Sequence, residues 1–339
     1  MNIYGIGDLF IPSGYIAAGF RKNDLPVTVC DWDTGGFARL QEINLLIEQH
    51  GSEAYEVPDA LLDRVRDAEI LITQFCPVNR KVIDACPKLK IIGILRGGYE
   101  NLNLAYAAEK GITVFNTPGR NADSVADFAV GAIICEARNI ARGHFGIKTG
   151  KWIREYPNSG MIPDLPGRTV GLIGFGEIGR KVAVRLRGFD MDVLVYDPFT
   201  KNFPESVRAV ELPELMRQSD FVSLHARLTA ENHHLINAEM LRLMKPNAYL
   251  INTSRAGLVD EPALAAALRE KRLAGAFLDV FEEEPPSLQN PLVQLENVTL
   301  TPHMAGGSND AFLNSPVKLA AELHKFLRGE PCRGKIQPR

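Results

Sequence analysis

The sequence predicts an α/β protein of two lobes, each built on a parallel sheet with helices on its faces. Three observations carry this. At 339 residues the chain is long for a single domain. Short β-rich runs alternate with helical patterns in two separate series, the arrangement that βαβ units and covered parallel sheets require. The second series opens on a glycine-rich turn set between a strand-like run and a helix-like one.

The first series runs "NIYGI", "PVTVCDW", "EILITQF", "LKIIGIL" and "ITVFN", with helical stretches such as "GGFARLQEINLLIEQH" between. Residues 124–152, "SVADFAVGAIICEARNIARGHFGIKTGKW", are apolar nearly all round at first and amphipathic later, which suits a helix buried between lobes or subunits. The second series begins at "RTVGLIGF" and continues through "MDVLVYD", "DFVSLH", "NAYLINTS", "AGAFLDVF" and "NVTLTPH". The last helical pattern, "DAFLNSPVKLAAELHKFLRG", is expected to return to the first lobe, and the tail "EPCRGKIQPR" to fray for want of anything to bury.

Composition removes several classes of function. A net charge of −3 gives no broad field to recruit nucleic acid or an anionic membrane, and no basic-aromatic stripe interrupts the scattered Lys and Arg. No apolar run reaches spanning length, and the N-terminus lacks the basic region of a signal peptide. The five cysteines are odd in number and show no C-x-x-C spacing. Reduced thiols in a cytoplasmic protein, with no metal site, are the expectation.

The glycine turn is Gly174-x-Gly176-x-x-Gly179, with Asp197 at the end of the next strand, 18 residues beyond Gly179. Gly174 permits the tight turn, Gly176 lets backbone amides approach a pyrophosphate, and Gly179 allows close helix–strand packing. The helix N-terminus offers unpaired N–H groups to phosphates. Asp197 can accept from both ribose hydroxyls and would repel a 2′-phosphate, and no arginine follows it immediately, so NAD rather than NADP is the expected cofactor.

Three further features fall where strands of the second lobe should end, the edge at which open α/β sheets bind ligands. "INTSRAGLVDE" places Arg255 after an apolar strand, "DVFEEEPP" supplies Glu282, Glu283 and Glu284, and "TLTPHMAGG" sets His303 on a Pro/Gly-rich loop. Alone, each suits a salt-bridged or solvated loop. Together they meet the needs of oxidising a secondary alcohol beside a carboxylate: a base for the hydroxyl proton, a cation for the carboxylate and a bound hydride acceptor. His303 is the natural base, and a carboxylate on its other nitrogen would hold the ring and raise its pKa.

With "LRGGYENLNLAYAAEKGITVFNTPG", "SVADFAVG", "GRTVGLIGFGEIGRKVA", "INTSRAGLVDE", "FLDVFEEEPP" and "TPHMAGG" in order, the chain resembles the D-isomer-specific 2-hydroxyacid dehydrogenase family over nearly its whole length. Within the family it is most similar to the phosphoglycerate dehydrogenase branch, in a short form without a regulatory domain.

The resemblance implies two flavodoxin/Rossmann-like doubly wound lobes with a cleft between, the NAD lobe spanning 118–308 and the substrate lobe 1–117 plus 309–339. It assigns Glu284, just before Pro285, as the partner of His303, and Glu282 and Glu283 as solvated rim. Arg255 falls on the arginine for the substrate carboxylate, and Gly97 and Gly98 on the loop whose amides also hold it, an anion nest in physical terms. Asp279 falls beside the nicotinamide carboxamide, and Glu177, Ile178, Ala226, Thr253, Ser254 and Gly306 on further cofactor positions.

Two departures stand out. Arg227 in "LHARLT" replaces a common proline, and Arg96 stands where small residues are usual. Arg96 is open to two readings, an ordinary loop salt bridge or a second anion contact for a phosphorylated or dicarboxylate substrate. The expected reaction is hydride transfer between NAD(H) and a small D-2-hydroxy acid, with 3-phosphoglycerate the leading candidate and glycerate/hydroxypyruvate close behind. An NAD-sensing corepressor on the same scaffold is the rival from another class. Formate dehydrogenase is disfavoured, since that branch carries glutamine where this chain has Glu284. A homodimer through the apolar half of 124–152 is expected.

Overall fold

The computed structural model describes residues 1–336, so the last residues of the tail lie outside the described chain. It divides into two compact units, Met1–Asn121 with the chain from Ser308 onward, and Ala122–Gly307.

The first unit holds β1 (Ile3–Gly7), β2 (Thr28–Asp31), β3 (Ile70–Thr73), β4 (Ile91–Ile94) and β5 (Thr113–Asn116). These pair in parallel in the order β5-β4-β3-β1-β2, which is the flavodoxin-like winding. β3 and β4 are "ILIT" and "IIGI" and are buried at every position, as strands covered on both faces must be. One face packs beneath helix Asn309–Leu327. Its Leu319, Ala320 and Leu323 share a core with Ile3, Phe20, Ile70 and Phe115.

The second unit holds β6 (Thr169–Ile173), β7 (Asp192–Tyr196), β8 (Arg208–Ala209), β9 (Phe221–Leu224), β10 (Tyr249–Asn252), β11 (Gly275–Leu278) and β12 (Val298–Leu300). All are parallel, in the order β12-β11-β10-β9-β6-β7-β8, the doubly wound Rossmann arrangement. The strand order reverses between β6 and β9, and the carboxyl ends at such a reversal are where open α/β sheets bind ligands.

Two expectations are corrected. The tail does not fray throughout: Lys335–Ile336 forms β13, antiparallel to β5, and Gly334 O accepts from Asn116 N at 2.9 Å. Residues 124–152 are not one helix but two, Ala122–Ala137 and Ile140–Lys148, broken at Asn139, which takes φ 55°. The apolar first helix does not lack cover. Ala126, Ala129, Val130, Ile133 and Ala137 are buried within their own unit against Val182, Leu186, Tyr249 and Phe277. Small side chains let it lie close on the sheet. The exposed apolar surface comes afterwards, at Ile140, Phe145, Ile147 and Trp152, the last of these 83% exposed.

Candidate active site

The turn after β6 distinguishes its three glycines. Gly174 takes φ +96°, and a Cβ there would stand 2.6 Å from Ala226 N, so both backbone conformation and the neighbouring strand end exclude a side chain. Gly179, in the first turn of helix Glu177–Leu186, would drive a Cβ into the carbonyl oxygen of Gly174. Gly176 differs: a Cβ would meet nothing within 4 Å. The two outer glycines close the turn on itself, and the middle one faces open space at the helix N-terminus, where a pyrophosphate would lie. Glu177 is exposed in the first turn, and Ile178 is half-buried beside it.

Asp197 follows β7. Its Oδ2 accepts from Phe175 N at 2.7 Å, and its Oδ1 from Phe199 N at 2.9 Å and Thr200 N at 3.1 Å. Burial pushes its pKa up, but these N–H groups and the Thr200 hydroxyl outweigh that and hold it below the ordinary value. The carboxylate is therefore ionised while it ties the ends of β6 and β7 together.

Across the switch point, Ala226 is half-buried and Thr253 is buried with its Oγ1 meeting no protein partner. Ser254 is fixed, its Oγ donating to Leu224 O at 2.5 Å. His225, just before Ala226, is buried, with Nε2 3.0 Å from Ser223 Oγ. Burial pulls its pKa down to about 4, so the ring is neutral at physiological pH. An open glycine position, a helix N-terminus, an ionised acid at the second strand end and an unpartnered Thr253 hydroxyl, all at the carboxyl ends of this sheet, fit a dinucleotide.

The loop Thr301–Gly307 carries His303 and is shaped by Asp279. That carboxylate is wholly buried at the end of β11. Oδ1 accepts from Thr301 Oγ1 at 2.6 Å and Met304 N at 3.0 Å, and Oδ2 from Ala305 N at 2.9 Å. These bonds grip the chain on both sides of His303, which sits at φ +49°, a left-handed conformation that residues other than glycine adopt uncommonly, Asn, Asp and His most often among them. Strain of about 1–3 kcal/mol at such a position persists only where the surroundings impose it. Thr301 is a functional neighbour that pattern reading missed; its place two residues before His303 was the available signal. Gly306, half-buried, lies in the turn that ends this loop.

Of the three clustered carboxylates, Glu284 reaches the histidine: Oε2 lies 2.8 Å from His303 Nδ1, while Oε1 accepts from Phe281 N at 3.0 Å. That second bond fixes the carboxylate before the imidazole meets it. The Glu284 hydrogen bond raises the His303 pKa, opposed by burial and by Arg255. Burial pushes Glu284 up, but His303 prevails and leaves it lowered. Glu283 is exposed, and Glu282 pairs instead with His234, Oε1 to Nε2, at 3.2 Å. Glu282 is thus not idle rim. Arg255 begins the turn after β10 and is exposed, its Nη1 donating to Ser254 O at 2.7 Å. Its charge acts on both Glu284 and His303.

Residues 130–305 match the family model described as D-isomer specific 2-hydroxyacid dehydrogenase, NAD binding domain. A glyoxylate reductase from Korarchaeum cryptofilum is 39% identical over 300 residues, 87% of this chain and 90% of that protein. The chain belongs to the D-isomer-specific 2-hydroxyacid dehydrogenase family. It is an NAD-dependent oxidoreductase, and the NAD-binding match lies within the second unit. A D-3-phosphoglycerate dehydrogenase from Methanocaldococcus jannaschii is also 39% identical, over 277 residues that make up 80% of this chain but 52% of that longer protein. Among solved structures, the TT0316 protein from Thermus thermophilus superposes with a TM-score of 0.74 at 31% identity, covering 98% of this chain and 99% of that one.

In the first unit Asn116 Nδ2 donates to Gly97 O at 2.6 Å, which fixes the Gly97–Gly98 turn. Arg96, beside it, is committed. Its Nη2 lies 2.8 Å from Glu48 Oε1 and 3.3 Å from Glu100 Oε2, its Nη1 3.2 Å from Asn44 Oδ1, and its guanidinium packs over the Phe75 ring. Its Nη donors go to partners up to 52 residues away, as in the salt-bridge reading of this residue. Arg227 is exposed in the loop after β9, where Asn232 Nδ2 donates to its carbonyl at 2.8 Å. Among the described residues there is no cluster of three or more His, Cys, Asp or Glu able to hold a metal ion, and no helix long and apolar enough to cross a membrane. None of the five cysteines is disulfide-bonded.

Proposed function

We propose that the protein interconverts a small, unphosphorylated 2-keto acid and its D-2-hydroxy acid. His303 is the acid–base group, Glu284 holds and polarises it, and Arg255 receives the carboxylate. The observation that carries this reading is the 2.8 Å Glu284–His303 pair under the influence of Arg255. A base for alcohol oxidation must be near neutrality and held by its second nitrogen; in reduction the same imidazolium returns the proton to the keto oxygen. NAD(H), when bound, supplies or accepts the hydride.

Two observations favour an unphosphorylated substrate. Arg96 is neutralised by Glu48 and Glu100, so the cation that would have marked a distal phosphate is spent. The glyoxylate reductase relative matches over more residues than the phosphoglycerate dehydrogenase relative, 300 against 277, at the same 39% identity. The exposed run Ile140, Phe145, Ile147 and Trp152 supports a homodimer through this surface.

The test is NADH oxidation by the purified protein with glyoxylate, hydroxypyruvate and phosphohydroxypyruvate. Turnover should be greater with the first two. A kcat/KM highest for the phosphorylated acid would overturn the substrate reading, and NADH binding without turnover on any keto acid would point to the sensing role instead.

A further inference from the structure

The loop that carries Glu284 has little packing to hold it. Between residues 282 and 290, Glu282, Glu283, Pro285, Leu288 and Gln289 are exposed. Two of its polar contacts are exposed as well: His234 Nε2 with Glu282 Oε1 at 3.2 Å, and Gln294 Nε2 donating to Leu288 O at 2.6 Å. A further tie comes from one carboxylate. Glu261 Oε1 accepts from Glu282 N at 2.7 Å and its Oε2 from Asn290 Nδ2 at 3.4 Å, so a single side chain spans both ends of the loop. Glu261 is itself well rooted. It opens helix Glu261–Arg269, whose Leu264 and Leu268 are buried and whose Asp260 cap accepts from Ala263 N at 2.9 Å. It also ends the sequence run, residues 251–261, that supplies Arg255.

This is a costly place for an acid. Glu261 is half-buried, burial pushes its pKa up, and the charges of Glu282 and Glu284 push the same way, against the two bonds it accepts. We propose that Glu261 is a positioning residue of the active site: its carboxylate fixes the ends of loop 282–290 and thereby holds Glu284 against His303. This rests on the reading of His303 as the acid–base group. Glu282 N and Phe281 N lie on successive peptides, so the bond from Glu261 sets the direction in which Phe281 N meets Glu284 Oε1 at 3.0 Å. That leaves Oε2 for His303 Nδ1 at 2.8 Å. Without the tie the exposed loop gains freedom, and a partly exposed pair not held in one geometry contributes little. The charges that act on His303 are those of Glu284, Arg255 and Asp279, while Glu261 faces Glu282 and Glu284, with His234 paired to Glu282. Glu261 therefore acts through where it puts Glu284 rather than by its own field.

The test follows NADH oxidation with glyoxylate and with hydroxypyruvate across pH in the wild type, Glu261→Ala and Glu261→Gln. In Glu261→Ala kcat/KM should fall by up to about tenfold, the effect of loosening one partly exposed charge-assisted bond. The alkaline decline of reduction should move to lower pH with it. Glutamine keeps an oxygen for Glu282 N, so Glu261→Gln should stay within about twofold of wild type with its profile unmoved. Because the effect passes through Glu284, Glu261→Ala should lower kcat/KM less than about twofold further in a Glu284→Gln background. A lower melting temperature in Glu261→Ala with an unmoved profile would make the residue merely structural and overturn the assignment. An equal displacement in Glu261→Gln, which would point to charge, or the full loss recurring in the Glu284→Gln background would overturn it too. NMR titration of the His303 ring, identified by its absence in His303→Asn, reads the same displacement without turnover. No turnover of either acid by the wild type would thus defeat the keto-acid reading, while that titration still decides the role of Glu261.

Discussion

Replacing Glu284 by Gln keeps the shape of the side chain and removes its charge. The amide oxygen can still accept from Phe281 N, as Oε1 does now at 3.0 Å, so the loop should hold its course. What changes is the bond to His303 Nδ1 at 2.8 Å. A hydrogen bond to a charged group contributes about 1.5–3 kcal/mol. With the His303 side chain 48% exposed and that of Glu284 32%, solvent takes part of this. A loss near the lower end, about 1–1.5 kcal/mol, corresponds to roughly tenfold in kcat/KM.

The pH dependence has a definite sign. Glu284 raises the His303 pKa, so keto-acid reduction, which uses the imidazolium, persists to higher pH in the wild type. In Glu284→Gln the alkaline decline of reduction, and the acidic onset of alcohol oxidation, should both move to lower pH. The stability that His303 draws from the pair is complete below its unfolded pKa and lost as pH rises through the folded one. The share that Glu284 draws is present above its unfolded value and lost as pH falls through its lowered folded one. The melting-temperature difference between wild type and variant should therefore be greatest between these limits. Steady-state kinetics of both directions and thermal melts across pH provide the measurements. Unmoved profiles in Glu284→Gln, or an equal displacement in Glu282→Gln, would refute the assignment of Glu284.

If Asp197 is the ribose acceptor, Asp197→Ser should weaken NADH binding and improve NADPH relative to NADH, because the ionised carboxylate that would repel a 2′-phosphate is gone; cofactor titrations followed by protein fluorescence would show it. Equal use of the two cofactors by the wild type would undo the argument. Trp152→Glu places a charge in the exposed apolar run and should shift the protein from dimer towards monomer in light scattering at micromolar concentration, whereas a wild-type monomer would remove the basis for the dimer.

The fold was legible because its strands are buried on both faces and so read as continuous β-branched runs bounded by turn residues. The cofactor crevice was legible because its requirements are local: Gly174, Gly176 and Gly179 lie within one turn and a helix start. Other features depend on long-range contacts. The freedom of Arg96 is decided by Glu48 and Asn44, which no local pattern brings to it. The cover of helix Ala122–Ala137 comes from Tyr249 and Phe277, more than a hundred residues away, so an apolar surface read as unpartnered was already occupied.

Helix Asn309–Leu327 has a consequence for how the chain is made. Residues 1–121 leave the ribosome without the segment whose Leu319, Ala320 and Leu323 complete their core, and without Pro316, against which Gly19 packs too closely to admit a Cβ. The second unit, continuous from Ala122 to Gly307, emerges entire in the meantime. Vectorial synthesis therefore reverses the order of the sequence: the half that begins first is finished last, with its β-rich runs waiting some two hundred residues for their cover. During that interval the apolar faces of β3 and β4 are those a chaperone would have to shield.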